Sequence, residues 1–89
     1  MRREVWKYTL KDHINTLSMP EDFEILQVHE QANEVCMWVI VEPDLISQAK
    51  RTFHVVGTGK EIPSGVEYVG TAHVHFGTLV LHVFMEIER

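Results

Sequence analysis

His73, Val74 and His75 fall in a run of strand-forming residues, so both imidazoles project from one side of a strand. Strand rise sets them about 6.5–7 Å apart. His82 falls on the same face if the chain turns back at Phe76-Gly77, diagonal to His73. Three neutral imidazoles converging in this way could hold Zn²⁺ with one position open for catalysis. The sequence has no His-Glu-x-x-His, and no carboxylate is tied to the cluster by spacing. The composition therefore favours interfacial or solvated histidines, with no metal and no catalytic residue assigned.

Gly57-Thr58-Gly59-Lys60 is the second chemical feature. A phosphate-binding P-loop needs Gly-x-x-x-x-Gly-Lys-Ser/Thr leading into a helix. Here Glu61-Ile62-Pro63 follows instead, so that motif is rejected. Glycine amides with Lys60 could still contact one phosphate of a small ligand, against the alternative of an ordinary turn. Arg51 is a further cation in an otherwise acidic chain. The candidate ligand-binding residues are thus Arg51, Gly57, Thr58, Gly59, Lys60, His73, His75 and His82.

Other reactive types read as structure. Cys36 is the single cysteine and sits mid-strand among apolar neighbours, which suits a buried thiol and excludes an internal disulfide. Trp6 and Tyr8 share one face of a strand and suit edge-strand packing. The acidic residues show no dyad spacing for glycosidase chemistry.

The elements that must position these groups are strands. Val, Ile and Thr supply 24 of 89 residues, a β-leaning composition. Six strands are expected over 5–10, 23–30, 34–42, 51–57, 66–75 and 78–88. Breakers separate them at Pro20, Pro43, Gly57-Thr58-Gly59, Pro63-Ser64-Gly65 and Phe76-Gly77. Residues 11–17 and 43–50 are expected as short helical turns. The fold class is all-β or β-dominated α+β. The expected architecture is a compact antiparallel sheet or small barrel of five to six strands with one or two short helical turns, in a single domain over 1–89.

Two tight turns are expected, at Glu30–Asn33 and at Phe76-Gly77. A two- or four-residue loop at the second gives a clean segregation of faces. Val66, Tyr68, Ala72, Val74, Leu79, Leu81, Val83, Met85 and Ile87 then share the core face. The opposite face mixes His73, His75 and His82 with hydroxyls, Val80 and Phe84, a composition that suits a subunit interface or a ligand surface. The run Val35–Val41 is apolar on both faces, so both sides should be covered, by this chain or by a second copy.

The net charge of −5 opposes broad binding to a nucleic-acid polymer. No apolar run approaches the roughly 18 residues of a membrane span. Met1-Arg2-Arg3-Glu4-Val5-Trp6 lacks the apolar segment of a secretory signal. These features lead to the expectation of a cytoplasmic protein without membrane contact, and no cofactor is implied.

Val5-Trp6-Lys7-Tyr8, Leu17-Ser18-Met19-Pro20 and Glu24-Ile25-Leu26-Gln27-Val28 together resemble a family of short phage and prophage proteins. The similarity continues through Met37-Trp38, Phe53-His54-Val55-Val56-Gly57-Thr58-Gly59, Tyr68-Val69-Gly70-Thr71 and His82-Val83-Phe84. It spans nearly the whole chain. Members of that family often carry His after the Thr-Gly, where this chain has Lys60, which weakens any family-wide catalytic role there. The resemblance implies a phage setting in the host bacterial cytoplasm and a compact β-rich fold, not a chemistry. In that setting the expected function is non-enzymatic counter-defence: a homo-oligomer sequestering a small anionic, nucleotide-type immune signal. The alternatives are direct inhibition of a host protein and, behind it, a His-ligated metal-dependent hydrolase.

Overall fold

Alternation of apolar and polar residues forces most of this chain into half-buried strands, and short turns return each one. The computed structural model describes residues 2–44 and 47–88. It contains β1 (Glu4–Leu10), β2 (Ile14–Pro20), β3 (Phe23–Gln31), β4 (Glu34–Val41), β5 (Gln48–Gly57), β6 (Val66–Val74) and β7 (Leu79–Glu86). All pairings are antiparallel. One sheet has the order β1-β4-β3 and the other β2-β5-β7-β6. The fold is therefore all-β, as its composition predicts, in two sheets that do not close into a barrel. No helix forms among the described residues, so none is long and apolar enough to cross a membrane.

Both sheets contribute to one apolar cluster. Leu10, Val28, Val35, Met37, Val39 and Val41 come from the first, and Met19, Phe53, Ala72, Val74 and Val83 from the second. The two-sided apolarity of β4 now has a physical account. Val35, Met37, Val39 and Val41 face the chain's own second sheet, while Cys36, Trp38 and Ile40 lie on the outer face between β1 and β3. Cys36 is buried there beside the Thr9 hydroxyl at 3.7 Å. Trp6 and Tyr8 pack against the core from β1, an edge strand.

Several expectations are corrected. Residues 11–17 are not a helical turn: the chain bends at Asp12-His13 and continues as β2. The reason is alternation, with Asn15 and Met19 buried inside and Ile14, Thr16 and Ser18 outside. Within 43–50, strand β5 already begins at Gln48, and residues 45 and 46 lie outside the described residues.

Both expected turns form, the first one residue later than Glu30–Asn33. Ala32 and Asn33 adopt left-handed φ values of 53° and 64°, closing a two-residue turn between Gln31 and Glu34. The β6–β7 loop has four residues, His75–Thr78, which keeps the expected face parity. Three consecutive left-handed residues occur there, His75, Phe76 and Gly77. Asn33 steadies them: its Oδ1 accepts the His75 amide at 2.8 Å, so one hairpin tip is pinned on the other.

The faces of β6 need a further correction. A bulge at Val69 lets Tyr68 pair with Phe84 and Gly70 with Val83. The extra residue shifts parity. Val69 therefore packs on the core, and Tyr68 turns outward, where its ring meets Phe84 edge-on at 5.7 Å.

Candidate functional site

The outer face of the four-stranded sheet carries the mixed surface expected from the sequence. Across it run two rows. Ile14, His54, Phe84 and Tyr68 make one, and Val56, His82 and Thr71 the other. His82 is held at both nitrogens, by the Thr58 hydroxyl at 2.9 Å and the Thr71 hydroxyl at 3.1 Å. The Tyr68 hydroxyl bonds Thr71 at 2.5 Å and extends the chain of hydrogen bonds. His54 and Glu86 are 2.7 Å apart on the same face.

The three imidazoles singled out by spacing do not converge. His82 is engaged with two threonines, and His75 sits in the hairpin loop with its Nδ1 3.2 Å from the side-chain Nδ2 of Asn33. His73 remains exposed opposite Val80. Among the described residues no group of three or more His, Cys, Asp or Glu side chains is placed to hold a metal ion.

Gly57–Lys60 is a hydrogen-bonded turn, with the Lys60 amide donating to the Gly57 carbonyl at 3.1 Å. Gly59 has φ 88° and Thr58 is not left-handed, the pattern of a type II turn. The turn leaves Gly57 and Lys60 on the wall of a groove of about 920 Å³. Leu10, Val35, Leu79 and Leu81 give that groove an apolar lining. Its charged residues are Lys11, Asp12, Lys60 and Glu61, with His13 beside them. Among the described residues neither Lys11 nor Lys60 enters an ion pair.

Arg51 lies elsewhere. It stands six residues along β5 from Gly57, roughly 20 Å by strand rise. Its guanidinium is 3.4 Å from the Glu88 carboxylate, donates to the Lys50 carbonyl at 3.2 Å and lies 5.7 Å from the centre of the Phe23 ring. Its side chain is only 15% exposed, so Arg51 is a structural tie. The structure thus brings Gly57 and Lys60 to one groove and Thr58 to His82. It does not bring Arg51, His73, His75 or His82 to that groove.

Sequence reasoning missed Lys11 and His13. Their signal was the polar run Lys11-Asp12-His13 between apolar segments, which marks a bend as readily as a helix start.

Fold and site together define a small open β-sandwich domain with a groove walled by the β1–β2 bend and the Gly57–Lys60 turn. The chain belongs to the family described as a domain of unknown function, DUF7352, whose model matches residues 1–89. No curated protein and no solved structure matches it.

Proposed function

We propose that this protein is a non-enzymatic binder that sequesters a small anionic, nucleotide-type ligand in the groove beside Gly57–Lys60, as a homo-oligomer. The observation that carries this reading is the groove itself: an apolar lining with two lysines on its walls that enter no ion pair among the described residues. Leu10, Val35, Leu79 and Leu81 suit the flat apolar body of a base. Lys11 and Lys60 suit the phosphate, each as a compact charge. Asp12 and Glu61 sit among them, so the site attracts an anion locally and not through a broad positive field. In the phage setting that the sequence resemblance implies, such binding withholds an immune signal in the host cytoplasm.

Calorimetric titration with a panel of cyclic and linear nucleotides tests this. Saturable binding is expected, with the ligand recovered intact after denaturation. A charge-assisted hydrogen bond contributes about 1.5–3 kcal/mol, so Lys60→Ala should weaken binding roughly ten-fold or more. Arg51→Ala should leave affinity unchanged. Silence of every nucleotide would overturn the reading, and turnover would replace sequestration with hydrolysis.

A second reading is direct binding to a host protein. It draws on the outer sheet face, where Ile14 and Tyr68 are 60% and 61% exposed in one row. Capture of one defined host protein, lost on Tyr68→Ala, would support it.

A further inference from the structure

Four strands end the two sheets: β1 and β3 in one, β2 and β6 in the other. A sheet edge offers unpaired N–H and C=O groups, and proteins guard edges with charges, bulges or cover. Three of these edges are guarded. β1 carries Glu4 and Lys7, with Arg2 and Arg3 just before it. β3 and β6 carry bulges at Leu26 and Val69, and the two strands lie against one another. Among the described residues β2 has less protection: residues 14–18 carry no charge, bulge or cover, and only the buried Pro20 at its end blunts the edge. Ile14–Pro20 contains no charge and pairs with β5 in unbroken register.

Two hydrogen bonds fix which backbone groups of β2 point outward. The Val55 amide donates to the His13 carbonyl at 2.8 Å, and the Glu21 amide donates to the Ser47 carbonyl at 3.1 Å. Odd-numbered residues therefore turn their backbone groups inward, toward β5 and its approach. Ile14, Thr16, Ser18 and Pro20 turn theirs to the open edge. Pro20 fits this placement, since it has no N–H to offer there. Ile14, Thr16 and Ser18 are all exposed.

We propose that β2 pairs antiparallel with β2 of a second copy, about a twofold axis at Thr16. The proposal names the interface of the homo-oligomer proposed above and rests on that part of the reading, not on the ligand. Opposed residues must share a sheet face, so the axis passes through a residue. Centred on Thr16, the two Thr16 residues face each other and Ile14 faces Ser18 of the partner subunit. Every outward donor of Ile14, Thr16 and Ser18 then finds an acceptor, and Pro20 falls beyond the ladder. Centred on Leu17, Ile14 would face Pro20 and lose a partner. The absence of charge along β2 lets two acidic chains meet here without like charges opposed. The two four-stranded sheets become one continuous sheet. Ile14, which also lines the groove, is covered by the partner strand.

Size-exclusion chromatography with light scattering on the full chain, without ligand, is the test. The wild type should elute with a dimer's mass at micromolar concentration. Thr16→Lys sets two like charges face to face and should raise the dimer dissociation constant at least ten-fold, and Thr16→Glu should do the same. An equal mixture of these two variants should regain the dimer, an outcome that misfolded chains would not give. A wild-type monomer would overturn both this interface and the proposed oligomer. A dimer indifferent to Thr16→Lys would overturn the β2 pairing alone.

Discussion

Asn15 is the buried polar side chain of the core among the described residues, at 7% exposure. Its Oδ1 accepts the Asp12 amide at 3.0 Å, and its Nδ2 donates to the carbonyls of Asp12 at 2.7 Å and Phe53 at 3.4 Å. One side chain thus folds the Lys11–His13 bend and ties it to β5. Asn15→Ala would leave those backbone groups unpaired, at a cost of about 1–3 kcal/mol. A lower midpoint in urea would register it. Tyr8 makes a pH-dependent contribution from the inner face of β1. Burial pushes its hydroxyl above the ordinary 10.0. Above about pH 10 the unfolded tyrosine ionises while the folded one resists, so unfolding is favoured as pH rises. Stability is thus full below about pH 10 and falls as pH rises through the higher folded value. Tyr8→Phe should flatten that alkaline fall, read as thermal midpoint against pH alongside the wild type.

At the scale of elements, the approach of β3 to β6 is set by Gly70. A Cβ at that position would lie 2.8 Å from both Cβ and Cγ2 of Val28, closer than side chains tolerate. Val28 is itself in the core and has little room to yield. Gly70→Ala should therefore cost about 1–3 kcal/mol through overpacking. The expected signature in urea is a lower midpoint with an unchanged slope. The same strand shows why alternation misplaced Tyr68. Parity holds from Val74 back to Gly70, and the bulge at Val69 then reverses it. Gly70 next to a run of alternating residues was the available signal, because glycine within a strand often accompanies a bulge or a close backbone approach.

At the scale of the whole molecule, the chain changes sheets three times, between β1 and β2, β2 and β3, and β4 and β5. Only β3–β4 and β6–β7 are hairpins of consecutive strands. The core cluster therefore joins residues distant in sequence, such as Leu10, Phe53 and Val83. The groove has the same origin. Lys11 arrives on the β1–β2 bend and Lys60 on the turn after β5. The β1–β2 change of sheet and the β5–β6 connection within the second sheet together bring the two lysines to one groove.

Strand character, the two tight turns and the division of β4 into two apolar faces were legible in the sequence because they rest on local causes. Side chains alternate every second residue, and Asn33 and Gly77 take left-handed backbone readily, while the left-handed His75 also leans on Asn33 of the other hairpin. The composition of the outer face around His82 was legible on the same ground. The division into two sheets, the strand Ile14–Pro20, the bulge at Val69 and the separation of Arg51 from Lys60 were decided only by tertiary structure. Each depends on which distant strand offers the better packing and hydrogen bonds. Alternation within one segment is the same whichever partner it meets.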